Sequence, residues 1–537
     1  MESTAQPATG ASPARECSLT DLPDDVVLEV LQRLAVKDVL TCRLVSKRMG
    51  ELALAPFVWN RRRIELGRRS DCAVLRLAPC LASMVFGDGD NLRQRLRCRH
   101  LYTSSCAVRR LAITLDSMHY GGSFLAPYAA RLVKRQASLG RLKTLVLRIH
   151  VNDDALSDQD ISNFFETVVF ARGVEDLAIM AHFGPESEPI IRSSALRRNV
   201  SPSTMRKLNC HAEEVELVSY LRSMLTIHAA TMETVELRIS PRSIDNFEED
   251  LTPESTLTAR LFTGMPNLCQ LNCQLISGLE ALASCKSLTI LTLSLDKYMQ
   301  RGEKGALKLL REAHHLREVT LECRDARRDD FYSWYEKRQP CSEDFYLDLV
   351  RALASSGKSQ VEKLTIYSFR WSGYFRLKQA LIPLLAQSLC LLPALKKLEL
   401  DGDMDLEELL HSISPATAPN LRCLGLRHTH VDDWVPQGVP KDATRALLLV
   451  NPALHLRLDH CRIPRCQKCK LDWLHSDSAR KSESLFLFSH PEAQCPWTDY
   501  HTPWKNWKDL WGDRVFSYFT EDPRDPHYSL AYNVTEI

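Results

Sequence analysis

The 537-residue sequence predicts an α/β fold: a short N-terminal block of three helices, then a curved repeat solenoid with a parallel β-sheet on its concave face. Three observations predict it. Between Leu22 and Trp59, apolar residues recur at helical spacing in three short runs. From Val108 onward, a short strand motif of the form apolar-x-x-apolar-x-apolar returns about twelve times. Amphipathic helical stretches separate these motifs, so strand and helix alternate through most of the chain.

Residues 1–17 are rich in Ala, Ser, Thr and Pro, have little to bury, and read as a disordered tail. Order begins near Leu19, and the helical block spans 18–66. After Pro23, the residues Val27, Val30, Leu31 and Leu34 fall three and four apart and line one face of a helix. Pro suits a first helical turn because its missing N–H has no partner there. Asp24 and Asp25 complement the positive end of the helix dipole. A second helical pattern runs from Lys37 to Lys47 with Val39, Leu40, Leu44 and Val45 apolar, and a third carries Leu52, Leu54, Trp59 and Ile64. Three short helices bury too little surface alone, so the block is expected to lean on a neighbour or a partner.

The order Leu22-Pro23, Asp25, Val26, Val27, Val30, Leu31, Leu34, then Asp38-Val39, Cys42, Val45-Ser46, Leu52 and Trp59 resembles an F-box. The sequence has Met49 where that family often has Trp, and Leu31 where it often has a bulkier residue. The resemblance implies binding to a Skp-type adaptor and, through it, to a cullin-RING ubiquitin ligase. It assigns the adaptor contact to Leu22, Pro23, Val26, Val27, Val30, Leu31, Leu34, Val39, Val45 and Trp59.

Residues 67–104 read as a linker or capping region. The strand motifs then follow as VRRLAI at Val108, LKTLVL at Leu142, VEDLAI at Val174, MRKLNC at Met205, METVEL at Met232 and LCQLNC at Leu268. They continue as LTILTL at Leu288, LREVTL at Leu316, VEKLTI at Val361, LKKLEL at Leu395, LRCLGL at Leu421 and ALHLRL at Ala453. Strand alternation turns Leu145 and Leu147 inward and Thr144, Val146 and Arg148 outward. Between strands, SEDFYLDLVRALASSG reads as a helix with Ser342 as N-cap, Phe345, Leu347, Leu349 and Leu353 apolar, and Gly357 as the stop. YFRLKQALIPLLAQSLCLLP reads as a helix interrupted by Pro383.

Over residues 105–462 this alternation resembles the divergent leucine-rich repeats that follow F-boxes in F-box/leucine-rich-repeat proteins. The repeat length exceeds the usual range of about 20–29 residues, so longer helices or insertions are expected. A doubly wound α/β domain has the same alternation, but no Gly-rich phosphate loop follows any strand, and about a dozen parallel strands exceed what an open twisted sheet usually carries.

In such a solenoid the outward strand residues are free to recognise a partner. By register these include Arg148, Arg238, Gln270, Asn272, Gln274, Glu318, Glu322, Tyr367, Lys397, Glu399, Arg427, His455 and Arg457. Their mixture of polar groups and balanced charge suits a protein target better than a polyanion. The whole chain agrees: 69 Lys and Arg against 67 Asp and Glu leave a net charge of +2, which gives no general pull toward nucleic acid or membrane. No apolar run approaches the roughly 20 residues of a membrane span, and the first residues lack a secretory signal. The expected location is inside the cell, in cytoplasm or nucleus. The 18 cysteines are scattered singly through leucine-rich segments and read as free thiols.

Three further features invite chemistry. Arg93, Arg95, Arg97 and Arg99 alternate, so a strand would gather them on one face, for an acidic ligand or as a solvated edge. Cys466-x-x-Cys469, near His460, Cys461 and His475, has part of a zinc-site spacing but no second close pair; the expectation is no metal. Residues 463–537 form a Cys- and Trp-rich region, with Trp497, Trp504, Trp507 and Trp511, that is expected to cap the last repeat. No catalytic motif and no cofactor motif is recognisable. The expected function is a non-catalytic substrate receptor of a Skp-cullin-F-box ubiquitin ligase. The alternatives are a repeat scaffold that directs no ubiquitination and an enzyme with a dispersed site.

Overall fold

The computed structural model describes residues 22–66, 71–87, 100–116, 125–151, 158–183, 203–212, 216–239, 259–295, 302–323, 343–368, 375–401, 406–428, 441–460 and 484–487. The arginine run at 93–99, the Cys466 and Cys469 pair and the tryptophans from Trp497 onward lie outside the described residues. The chain forms two compact units, residues 1–177 with 183–187, and residues 178–182 with 188–537.

The first unit opens on four short helices: α1 (Asp24–Arg33), α2 (Val36–Cys42), α3 (Lys47–Ala53) and α4 (Pro56–Trp59). Pro23 precedes α1 and its carbonyl accepts from the Val27 N–H at 3.1 Å, with Asp24 and Asp25 in the first turn as expected. The second helix is shorter than the sequence pattern suggests. It stops at Cys42, because Ser46 begins a new helix by accepting the Met49 N–H on its hydroxyl at 3.1 Å. Leu44 and Val45, read from sequence as helical, therefore stand in the intervening turn.

Strands β1 (Arg63–Glu65), β2 (Cys80–Phe86), β3 (Ala107–Asp116) and β4 (Thr144–Val151) follow, paired in chain order and all parallel. The ladder thus starts about forty residues before the first repeat identified from sequence, and β2, within the expected linker or capping region 67–104, is one of its strands. The missed strand β2 carries the repeat motif as LASMVF: Leu81, Met84 and Phe86 are buried and pair with Val108, Leu111 and Ile113 of β3. Ile64 and Leu66 continue the same buried rows into β1.

Strand β5 (Asp176–Phe183) lies where the chain divides. In the second unit, β6 (Lys207–Ala212), β7 (Thr234–Ile239), β8 (Gln270–Gln274), β9 (Ile290–Leu295), β10 (Glu318–Cys323), β11 (Lys363–Ser368), β12 (Lys397–Asp401), β13 (Cys423–His428) and β14 (His455–His460) again pair in chain order, all parallel. The last strand, β15 (Ser484–Leu487), runs antiparallel against β14 and covers its outer edge. Within each unit strand order never reverses. A doubly wound sheet needs such a reversal at its switch point, so the repeat reading holds.

Each of the twelve motifs found in the sequence becomes a strand, and the reason is visible in burial. In β8, β9 and β10, the first, fourth and sixth motif positions are Leu268, Leu271 and Cys273, Leu288, Leu291 and Leu293, and Leu316, Val319 and Leu321; none has any exposed surface. The backbone repeats as strictly. The second motif residue donates its N–H to the carbonyl of its counterpart one strand earlier: Thr289 to Cys269, Arg317 to Thr289, Glu362 to Arg317, Lys396 to Glu362 and Arg422 to Lys396, at 2.7–3.0 Å. Helices cover the inward face, as in Glu343–Ala354, where Phe345, Leu347, Leu349 and Leu353 are buried and the Tyr346 hydroxyl donates to the Leu321 carbonyl at 3.3 Å. The stop at Gly357 is a left-handed residue with φ of 58°. Pro383 does not interrupt its helix. Phe375–Ser388 runs through it, anchored by buried Leu381, Ile382 and Leu385 on either side. No helix among the described residues is long and apolar enough to cross a membrane.

Candidate functional site

The helical block is held by a small set of contacts. Trp59 is fully buried and its indole N–H donates to the Ala53 carbonyl at 2.7 Å. Arg48 ties the start of α1, donating to the Asp24 carboxylate at 2.6 and 2.8 Å and to the Leu22 carbonyl at 2.6 Å. Arg62 ties its end. Its guanidinium donates to the carbonyls of Leu31 (2.6 Å), Gln32 (3.2 Å) and Leu34 (2.8 Å), and its Nε donates to Val58 (2.8 Å). Carbonyls at a helix end have no partner inside the helix, and here one side chain serves three of them. The same guanidinium lies 5.5 Å from the centre of the Trp59 ring, and burial pulls its pKa down. The Arg62 main-chain carbonyl accepts the N–H groups of Ala82 and Ser83 in β2 at 2.9 and 3.2 Å. One residue therefore joins the helices to the first strands.

These contacts sort the ten residues expected to meet the adaptor. Pro23, Val26, Val30 and Val45 are exposed, and Leu22 and Leu34 are half-buried. Val27, Leu31, Val39 and Trp59 are buried within the chain, so their assignment is revised: they hold the helices together and do not present an outer face. Sequence alone gave no way to separate the two sets. Val26 and Val30 form one i,i+4 pair, and Val27 and Leu31 form another, rotated by about 100° around the same helix. Two exposed residues absent from the expected set, Leu44 and Phe57, join the outer group. The sequence signal for Leu44 was Ser46, an N-cap that makes the preceding residues a turn. Of the nine large apolar side chains exposed among the described residues, five fall here: Val26, Val30, Leu44, Val45 and Phe57.

On the ladder of the second unit, the outward residues are held in a polar network. Glu236 accepts from Asn209 at 2.9 Å and from Asn272 at 3.2 Å, and pairs with Arg238 at 2.6 Å. Gln270, Asn272 and Gln274 alternate with the fully buried Leu271 and Cys273 along β8. Glu318 pairs with Lys363 at 3.4 Å, and Glu322 accepts from Ser294 at 3.5 Å. Glu399 gathers three neighbours: Lys397 at 2.7 Å, the Thr365 hydroxyl at 3.0 Å and Arg457 at 3.5 Å. Register places Gly425 between Glu399 and Arg457, and a Cβ there would press on the Glu399 Cγ at 3.0 Å. Glycine thus leaves room for an ion pair that spans two strands. Burial alone would push the Glu399 carboxyl up; the hydrogen bond and charge of Lys397, with Lys363 and Thr365, outweigh it and hold the pKa below the ordinary value. Tyr367 is half-buried on the same face.

His455 is corrected. It is fully buried, with Nδ1 3.2 Å from the Arg422 carbonyl, so it belongs to the strand packing and not to a recognition surface. The Arg427 side chain lies outside the described residues. Arg148, in the first unit, is exposed. Among the described residues, no group of three or more His, Cys, Asp or Glu side chains is placed to hold a metal ion, and the ten cysteines with described side chains are free thiols.

Residues 19–65 match the family model described as F-box-like. The chain therefore carries an F-box-like domain at its N-terminal end, followed by parallel strands and helices in the order of a leucine-rich-repeat solenoid. No curated protein matches the chain. Among solved structures, the yeast Rad7 and Elc1 complex overlaps 81% of this chain and 92% of its own at 13% identity, with a TM-score of 0.31, which is too loose to bear on this fold.

Proposed function

We propose that this protein is the substrate-recognition subunit of a Skp-cullin-F-box type ubiquitin ligase. The observation that carries the reading is the exposed apolar set Val26, Val30, Leu44, Val45 and Phe57 on a domain that matches the F-box-like model. A Skp-type adaptor covers that set and links the chain to a cullin-RING ligase. The outward ladder residues, among them Arg238, Gln270, Asn272, Gln274, Glu318, Glu322, Tyr367, Lys397, Glu399 and Arg457, belong to the surface that holds a target protein. Its charge-balanced polar network suits a folded protein or peptide better than nucleic acid or membrane. The contribution to chemistry is proximity: a target held near the conjugating enzyme has a high effective concentration there, with no catalytic residue or cofactor in this chain.

The rigid join through Arg62 supports this role, because the adaptor end and the first strands share one hydrogen-bonded frame. The test is a reconstituted ligase of full-length chain, Skp-type adaptor, cullin, RING subunit and conjugating enzyme, supplied with proteins that co-purify with the full-length chain. Ubiquitin transfer to at least one of them is expected, and Val26→Asp with Val30→Asp should abolish it while capture of that protein persists. Capture without transfer by the unaltered chain would leave a scaffold in place of a receptor.

A further inference from the structure

The strands of the first unit carry a second set of outward groups, different in kind. Register aligns Arg63, Ser83, Arg110 and Thr144 in one row across β1 to β4, and aligns Arg148 with Thr114 further along. Arg63, Arg110 and Arg148 are exposed, and none has an ion-pair or hydrogen-bond partner among the described residues. This contrasts with their neighbours. Arg62 is turned inward onto α1, Lys143 is paired with Glu175 at 2.6 Å, and Arg238, Lys363, Lys397 and Arg457 of the second unit each meet a carboxylate.

Strands about 4.8 Å apart put the Arg63 and Arg110 Cα atoms roughly 10 Å from each other, with the Ser83 hydroxyl between them. Arg148 lies four residues beyond Thr144 on β4, roughly 13 Å further along the strands. In the next row Val85, Ala112 and Val146 give a small apolar floor, with Val85 and Val146 buried, and the exposed Glu65 carboxylate stands at its β1 end. Two guanidinium forks flanking a hydroxyl, beside an apolar floor and with a third fork one segment away, form a receptor for anionic oxygens on an extended chain. The two rows hold Ser, Thr, Ala and Val between the charged groups, and no aromatic ring on which a base could stack.

We infer that this face binds an acidic segment of the target protein, carrying carboxylate or phosphoryl groups, through Arg63, Arg110 and Arg148. The inference rests on the receptor reading and names what the receptor reads. Because Arg63 stands among the last residues of the F-box-like match, 19–65, the acidic segment sits beside the adaptor end of the chain.

The test titrates the full-length chain with four labelled probes of equal length: an alternating Glu-Ala peptide, its Gln-Ala counterpart, its phosphoserine-Ala counterpart and oligouridine. The two acidic peptides should bind in a salt-sensitive way, the tighter of them identifying carboxylate or phosphoryl as the natural group, and the Gln-Ala peptide should not bind. Replacing all three arginines by Ala should weaken acidic-peptide binding at least about tenfold, and Arg110→Glu alone should do so as well; Arg109→Ala should leave it unchanged. All three arginines are exposed, and thermal melts of each variant verify folding. Absence of acidic-peptide binding, equal binding of the Gln-Ala peptide, tighter binding of oligouridine, or an unaffected triple variant would each overturn the inference. Adaptor capture is measured on the same samples. Capture without acidic-peptide binding ends the acidic-segment inference and leaves the receptor reading standing; failure of capture ends the receptor reading itself.

Discussion

Arg62→Ala removes the donor that closes the end of α1. The side chain makes hydrogen bonds to Val58, Leu31, Gln32 and Leu34 at 2.6–3.2 Å and stacks near Trp59. Each such bond contributes about 1 kcal/mol net, and water reaches part of this half-buried site, so the four together contribute about 3 kcal/mol. Loss of the cation over the indole adds about 0.5 kcal/mol. In a unit of this size each kcal/mol moves Tm by about 2–4 °C, which gives a fall of roughly 7–14 °C. The effect should be local first: amide hydrogen exchange should accelerate in α1 and α2 before it does in β3 and β4. Arg62→Lys keeps the charge but not the planar fork, reaches fewer carbonyls, and should recover less than half of the loss. The assay is thermal melting by circular dichroism, paired with exchange read by mass spectrometry. A melting point for Arg62→Ala within about 2 °C of the parent, or a Lys variant equal to Arg, would refute the reasoning.

Gln136 is buried in the helix Leu125–Ser138, where its amide accepts the Val108 N–H at 3.0 Å and donates to the Cys106 carbonyl at 3.1 Å. Gln136→Leu strands both groups away from water and should cost about 2–4 kcal/mol in chemical denaturation. The pKa of Glu399 is held below its unfolded value, so its contribution to stability is present above that unfolded value and is lost as pH falls through the folded one. Denaturation followed at decreasing pH in the acid range should show a shallower loss for Glu399→Gln than for the parent. Burial pushes the Cys106 and Cys273 thiols up to about 12, whereas Cys269 and Cys390 are exposed. Alkylation of the native protein near pH 8, read by mass spectrometry, should therefore label Cys269 and Cys390 well before Cys106 and Cys273.

Much of this fold was legible because one short motif states its own geometry. Its first, fourth and sixth positions must be buried for parallel strands to stack, and Leu288, Leu291 and Leu293 meet that need as plainly in sequence as in structure. The first strands were harder to see. In LASMVF the key position is Met84, and in β1 only Ile64 and Leu66 remain of the pattern, because the helical block runs directly into the ladder. At the binding surfaces the limit was orientation. Val26 and Val27 are equally apolar, and only the packing of α1 against α3 and α4 decides which faces outward. His455 shows the same on a strand: the alternating pattern placed it outward, but packing at the last parallel strand encloses it. Arg62 was hidden among three consecutive arginines, of which it alone is turned onto a helix end.

The central claim is tested most directly by titrating purified Skp-type adaptor into the full-length chain in a calorimeter. A saturable one-to-one complex is expected, and Val26→Asp with Val30→Asp should weaken it by at least about 100-fold, because two unpaired carboxylates would be buried at an apolar contact at a cost of about 3 kcal/mol or more. No detectable complex, or a double variant that binds as tightly as the parent, would contradict the account.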